Sequence, residues 1–134
     1  MEYHERIQRV IDYIEARIYD DISIEETARQ AFMSVPHLYR IFPYIAGCTV
    51  GTYIRKRRLT LSAQALRDTD QRIIDIAVNY GFESQESYIR SFKQMFGVTP
   101  GEYRKTKNFI TLYSKLQLPK RREIVMQPEV IIRK

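Results

Sequence analysis

Two arginines, Arg40 and Arg90, occupy matching positions in a pattern that the sequence contains twice. Residues 34–55 and 84–105 repeat the same residue types at an offset of 50. The identical pairs are Ser34/Ser84, Arg40/Arg90, Phe42/Phe92, Gly47/Gly97, Thr49/Thr99, Gly51/Gly101 and Tyr53/Tyr103. An exposed arginine can bond to guanine O6 and N7 in the major groove of DNA, or it can be an ordinary solvated residue. Its recurrence at one place in two copies favours base contact.

The outward face of each repeated helix carries further groups. In the first copy the apolar stripe of Leu38, Ile41, Phe42 and Ile45 leaves Pro36, Arg40 and Pro43 on the opposite side, flanked by His37 and Tyr39. In the second, the stripe of Tyr88, Phe92 and Met95 leaves Glu86, Arg90 and Lys93 outside, near Gln85. Glutamine suits adenine and glutamate can accept from cytosine N4, so these faces have the chemistry of base recognition.

Helices must position these faces, and the sequence predicts about seven of them. An apolar stripe indicates a first helix from Tyr3 to Ile18, and the capping-box pattern from Ser23 starts a second at Ile24. Further N-caps are expected at Ser34, Thr49, Asp70, Ser84 and Thr99. Each copy is therefore a short helix, a turn and a longer helix, which is a helix-turn-helix.

The fourth helix, about 49–68, joins the two copies and would be about 30 Å long at 1.5 Å per residue. One turn of B-DNA is roughly 34 Å, so such a linker fits two reading helices in successive major grooves. A basic run, Arg55–Arg58, lies early in this helix. It can contact phosphates or form a solvated face, and the sequence does not separate the two.

A proline interrupts the first reading helix. Pro43 removes a backbone donor and crowds the carbonyl of Tyr39. We expect a kink or an early helix end there, and weaker reading by the first copy.

Composition narrows the function classes. The chain has 134 residues and a net charge of +6, and residues 55–134 hold seventeen bases against eight acids, whereas residues 1–26 hold three against eight. A basic surface favours an anionic partner. Two histidines and one cysteine, Cys48, offer no evident metal site or catalytic pair, so neither a cofactor nor an enzyme is expected. No signal segment or membrane-spanning run is evident, and the cytoplasm is the expected location.

The second copy, GFESQESYIRSFKQMFGVTPGEYR, strongly resembles the signature of the AraC/XylS family of bacterial transcription regulators. The first copy fits it less fully, through Ile24, Ala28, Ser34, Leu38, Arg40, Phe42, Gly47, Tyr53-Ile54 and Arg58. The resemblance covers about residues 3–107. It implies an all-α domain of seven helices in two helix-turn-helix lobes, about 3–48 and 70–107. It also implies a regulator, usually an activator, that binds double-stranded DNA and touches RNA polymerase.

The resemblance assigns roles residue by residue. The family's base-contacting positions fall on Pro36, Tyr39, Arg40, Gln85, Glu86 and Arg90. Contacts to the DNA backbone are expected from Ser34, His37, Arg55, Arg57, Ser84 and Lys93. Because Pro36 cannot donate to a base edge, its contribution would be apolar, for example to a thymine methyl.

Two questions stay open from the sequence. Residues 109–118 look weakly helical, and 124–134 look like a strand interrupted by Pro128. The segment 108–134 is either a loosely docked tail or a linker into a further domain that binds a small-molecule effector. The alternative function is a non-specific architectural DNA-binding protein, which would use charge and shape without reading bases.

Overall fold

The computed structural model describes residues 1–107 and 109–119, and its regular elements there are all helices. They are α1 (Tyr3–Ala16), α2 (Ile24–Gln30), α3 (Val35–Ala46), α4 (Val50–Asp68), α5 (Ile73–Asn79), α6 (Gln85–Phe96) and α7 (Pro100–Thr106). The predicted all-α class and the seven helices are thereby confirmed. No helix among the described residues is long and apolar enough to cross a bilayer.

The chain forms two compact units. The first comprises Met1–Ala16, Ile22–Val50 and the described residues from Lys115 onward. The second comprises Arg17–Asp21 and Gly51–Ser114. Helix α4 therefore belongs to the second unit from Gly51 onward, and its inner side chains are part of that unit's core.

The core of the first unit is the stripe predicted from the spacing of apolar residues in α1. Its four side chains, Ile7, Val10, Ile11 and Ile14, are completely buried, and α1 packs on both α2 and α3. Burying one side chain of this size stabilises the fold by about 1.5–3 kcal/mol. This stripe holds the helix-turn-helix formed by α2 and α3.

The core of the second unit is built around aromatic rings. Tyr88 and Phe92 of α6 pack with Tyr103 of α7 and with Leu59, Ala63 and Leu66 of α4. The buried Tyr88 hydroxyl donates to Ser62 Oγ at 2.8 Å, and Ser62 in turn donates to the Leu59 carbonyl at 2.7 Å. Burial raises the pKa of the Tyr88 phenol, which stays protonated and can keep this donor role.

Side-chain caps start most of the helices as predicted. Ser23, Ser34, Ser84 and Thr99 each accept a hydrogen bond from the backbone N–H three residues on. The prediction for Asp70 was wrong. Helix α5 begins at Ile73 with Arg72 as its N-cap and without a side-chain cap bond. Asp70 lies too far ahead, and the Arg72–Asp75 ion pair spans the first turn instead.

Residues 109–119 are not helical, which corrects the weak helix predicted there. Side chains of the helices satisfy the backbone of this segment. Within the second unit, Tyr113 N–H donates to Thr60 Oγ1 at 3.0 Å, and Arg57 donates to the Tyr113 carbonyl at 2.5 Å. Within the first, Leu118 N–H donates to Gln8 Oε1 at 2.7 Å. The strand predicted at 124–134, and with it the start of a further domain, lies outside the described residues.

Candidate nucleic-acid interface

Helix α6 presents the charged face that the second repeat predicted. Ser84 and Ser87 form a complete capping box, which fixes where the helix begins. Tyr88 and Phe92 are completely buried, so Glu86, Arg90 and Lys93 are exposed on the other side, with Gln85 half-buried. Neither Arg90 nor Lys93 has a carboxylate within 4.0 Å in the described part of the chain. The charge of Arg90 is available to a partner, and that of Lys93 also acts on Glu102, whose pKa is lowered first by hydrogen bonds to Thr99 and further by Lys93.

Helix α3 presents a less polar version of the same face. Leu38 and Phe42 are completely buried, while Pro36, Tyr39 and Arg40 are exposed. The Tyr39 side chain is 53% exposed. As in α6, one arginine stands among the exposed residues in the middle of the helix.

Pro43 does not end α3 early, so that part of the prediction was wrong, while a kink at Pro43 and weaker reading by the first copy stay predictions. The helix continues to Ala46 and has twelve residues, as α6 does. Gly47 adopts a left-handed conformation, with φ of 85°, and its N–H donates to the Pro43 carbonyl at 2.9 Å. Pro43 costs the bond that the Tyr39 carbonyl would accept from residue 43, but the buried Phe42 and the Gly47 cap maintain the last turn.

The two serines predicted at the DNA backbone cap their helices. Ser34 Oγ accepts from His37 N–H at 3.2 Å, and Ser84 Oγ accepts from Ser87 N–H at 3.1 Å. Both hydroxyls act as acceptors there, so each keeps a hydrogen that can be donated to a phosphate oxygen. The His37 ring lies edge-on to Tyr3, with its Nε2 at 3.2 Å from the Tyr3 hydroxyl.

The basic run in α4 does not form one surface. Arg55 is exposed, and the ammonium of Lys56 lies 4.9 Å from the centroid of the Tyr113 ring. Arg57 is only 8% exposed and bonds to the Tyr113 carbonyl, so the prediction that it contacts phosphate does not fit its burial. Arg58 donates to the carbonyls of Ile18 and Asp20, and burial lowers its pKa.

An exposed residue follows each outward arginine by one helical turn, and the sequence reading did not single these out. Tyr44, four residues after Arg40, is 89% exposed, and Gln94, four residues after Arg90, is also exposed. Residues at i and i+4 share one face of a helix, so this spacing was the available signal. Tyr44 and Gln94 extend the two faces toward the C-terminal ends of α3 and α6.

Comparison with known proteins identifies the architecture. A family model described as a helix-turn-helix domain matches residues 27–106. The uncharacterized HTH-type transcriptional regulator YbfP of Bacillus subtilis (strain 168) is 45% identical over 104 residues. The probable transcription factor PqrA of Proteus vulgaris is 39% identical over 100 residues, covering 73% of this chain and 82% of PqrA. The chain belongs to the AraC/XylS family.

A solved structure from the same family shares the fold. The AraC-type transcriptional regulator from Chromobacterium violaceum superposes with a TM-score of 0.73 at 25% identity, covering 78% of this chain and 94% of that one. By contrast, the alignment with YbfP covers 78% of this chain but only 35% of YbfP. The matched AraC/XylS region is thus about four-fifths of PqrA and about a third of YbfP.

Proposed function

We propose that this chain binds double-stranded DNA in a sequence-specific manner as a transcription regulator, with α3 and α6 as its two reading helices. The observation that carries the proposal is the matched exposure of Arg40 and Arg90 on two capped helices of equal length. Membership of the AraC/XylS family supports it. A chromosomal target also implies the cytoplasmic location expected from the sequence.

Helix α6 has the groups for direct readout. Arg90 would bond to guanine O6 and N7, Gln85 to adenine, and Glu86 to cytosine N4. Gln85 and Glu86 lie in the first turn of the helix, where recognition helices usually reach base edges. Lys93, one turn further along, would neutralise a phosphate.

Helix α3 would read a different kind of half-site. Arg40 again supplies a guanine contact, but Pro36 and Tyr39 offer mainly apolar surface, which suits thymine methyl groups. The first half-site should therefore be richer in thymine than the second. Ser34, His37, Ser84 and Arg55 complete the proposed contacts to the DNA backbone, while the buried Arg57 is left out.

Two further roles extend the proposal. Contact with RNA polymerase and transcriptional activation are what the family resemblance implies. A small-molecule effector would act through a domain beyond the described residues. The alignment covers only 35% of YbfP, so most of that relative lies outside the matched region and has room for such a domain.

Selection from a random duplex library at physiological salt tests the proposal. Two enriched half-sites with centres about 10 base pairs apart would support one reading helix in each of two successive grooves. A single enriched half-site would restrict base reading to one copy. No enrichment, with affinity that falls steeply as salt rises, would overturn the proposal in favour of the architectural alternative.

A further inference from the structure

A cleft of about 460 Å³ lies inside the second unit, between α4, α6 and the segment 109–119. It is lined by Arg55, Lys56 and Leu59 of α4, by Ser91, Gln94 and Met95 of α6, and by Thr111, Leu112 and Tyr113 of the segment. Sites for small molecules usually measure about 300–1,000 Å³, so the cleft is large enough to hold one.

The walls of the cleft combine an apolar floor with polar edges. Leu59, which is 1% exposed, belongs to the buried core, and Met95 and Leu112 pack against that core. Ser91, Gln94 and Thr111 add hydrogen-bonding groups to the lining. This is the usual composition of a ligand site, in which apolar surface supplies affinity and a few polar groups fix orientation.

The charge of the cleft selects the ligand. Two cationic side chains, Arg55 and Lys56, line it, and no acidic residue does among those that the structure describes. Neither cation has a carboxylate within 4.0 Å among residues 1–107 and 109–119. A ligand with a carboxylate or sulfonate group would supply the missing counter-charge, while its apolar body covered Leu59, Met95 and Leu112.

Side chains of α4 hold the third wall, the segment 109–119, in place at Tyr113. Tyr113 is fixed through its backbone by Thr60 and Arg57, and its ring lies edge-on to Tyr53 with centroids 5.8 Å apart. A preformed site spares a ligand the cost of ordering the segment, which favours binding.

We propose that this cleft is a binding site for a small organic anion with an apolar body, such as an aromatic carboxylate or sulfonate. The cleft shares Gln94 with the extended face of α6 and Arg55 with the proposed contacts to the DNA backbone, but the proposal does not depend on the DNA-binding function. Gln94 lies both in this cleft and next to the outward face of α6, so a ligand here would touch the helix that carries Arg90.

A matched pair of fluorescent probes tests the site on the full chain. The anionic probe 8-anilino-1-naphthalenesulfonate should bind one molecule per chain, and N-phenyl-1-naphthylamine, which lacks the sulfonate, should bind at least tenfold more weakly. Lys56→Met should weaken binding of the sulfonate about fivefold or more, because it removes one of two adjacent positive charges. Lys105→Met, which removes an exposed lysine of α7 outside the cleft, should leave the affinity unchanged.

Filling the cleft gives a second, steric test. Ser91→Trp and Thr111→Trp place a large ring in the cleft from two different elements, α6 and the segment 109–119, and each should abolish saturable binding of the sulfonate. Thr111 is exposed and outside the helices, so its variant should fold even if the α6 variant does not; circular dichroism checks both. Equal binding of the two probes, or full binding by a folded Thr111→Trp variant, would overturn the proposal. A loss in Lys105→Met equal to that in Lys56→Met would do the same.

Discussion

The two helix-turn-helix copies use one backbone design with different side chains. In each, the residue after the first helix's C-cap takes a left-handed conformation: Phe32 in the first copy, with φ of 57°, and Gly81 in the second, with φ of 84°. The next N–H then bonds back five residues, from Met33 to the Ala28 carbonyl and from Phe82 to the Ala77 carbonyl. The second copy thus forms this turn with glycine, which adopts the left-handed conformation readily, and the first copy forms it with phenylalanine, which does not.

The copies also differ in length. Helices α2 and α5 are offset by 49 residues, whereas α3 and α6 are offset by 50. The second turn therefore contains one extra residue between its left-handed residue and the N-cap serine. With the more apolar face of α3, this extra residue means that the two copies differ more from each other than their seven identical residue pairs suggest.

The largest expected effect concerns the core of the second copy. Phe92→Ala should destabilise the second unit by about 3–5 kcal/mol, because Phe92 is completely buried among Tyr88, Phe96 and Tyr103. Phe92→Leu, which keeps most of the apolar volume, should cost clearly less. Urea denaturation followed by circular dichroism measures both, and an unchanged midpoint for the alanine variant would contradict the core placement.

Replacing the glycine of the second turn should cost more stability than replacing a glycine at a helix end. Gly81→Ala should cost about 2–3 kcal/mol, because its left-handed backbone resists a side chain and because the new Cβ would lie 2.9 Å from Arg58 Nη1. Gly97 has a similar φ of 83°, but a Cβ added there would meet no atom of residues 1–107 and 109–119 within 4 Å beyond its chain neighbours, so Gly97→Ala should cost about 1–2 kcal/mol. Equal losses would show that Arg58 moves aside freely.

Arg90 and Lys93 of α6 should differ in how strongly each affects the choice of DNA sequence. Arg90→Ala should cost about 1–3 kcal/mol on the preferred site and relax the preference at one base pair. Lys93→Ala is the control, because loss of a phosphate contact should weaken binding to all DNA sequences by the same factor. Fluorescence-anisotropy titrations on the selected site and on single-base variants measure both. A uniform loss for Arg90→Ala would assign it to phosphate.

The smallest expected effect concerns the first turn. Phe32→Gly should change the free energy of unfolding by less than about 1 kcal/mol, because relief of the left-handed strain is offset by two losses. First, glycine gives the unfolded chain more freedom, which stabilises the unfolded state. Second, the variant loses the contact with Arg9, whose guanidinium carbon lies 5.5 Å from the Phe32 ring centroid. Thermal unfolding detects a larger change, which would show that one of these contributions dominates.

The sequence predicted what is local to each helix. The apolar spacing of α1 and the capping serines depend on neighbours within about four residues, and both are as expected. For α4 the apolar spacing predicts a buried side of Val50, Ile54, Leu61, Ala65 and Leu66, and this prediction is less accurate. Ile54 and Leu61 are only half-buried, while Tyr53, Arg57, Thr60 and Ser62 are buried. A prediction based only on apolar residues misses buried polar residues such as Arg57 and Thr60, whose hydrogen-bond partner, Tyr113, is distant in the sequence.

The remaining surprises share that cause. Nothing near Arg57 or Arg58 in sequence indicates that their hydrogen-bond acceptors are Tyr113, Ile18 and Asp20. Likewise, the weak apolar periodicity of residues 109–118 carries no sign that Thr60 and Gln8 bond to their backbone. Contacts between residues 38 to 110 positions apart are set by tertiary packing, which periodicity does not encode.

The way the segment 109–119 is attached affects how freely its sequence can vary. Thr60 and Gln8 bond to its main chain, at Tyr113 N–H, the Leu116 carbonyl and Leu118 N–H. Almost any side chain at these three positions preserves such bonds, whereas proline at 113 or 118 would remove a donor. For these main-chain bonds the requirement for a specific residue therefore falls on Thr60 and Gln8. Relatives can keep the path of the segment while changing those of its side chains that make no contact of their own, unlike the Tyr113 ring beside Tyr53.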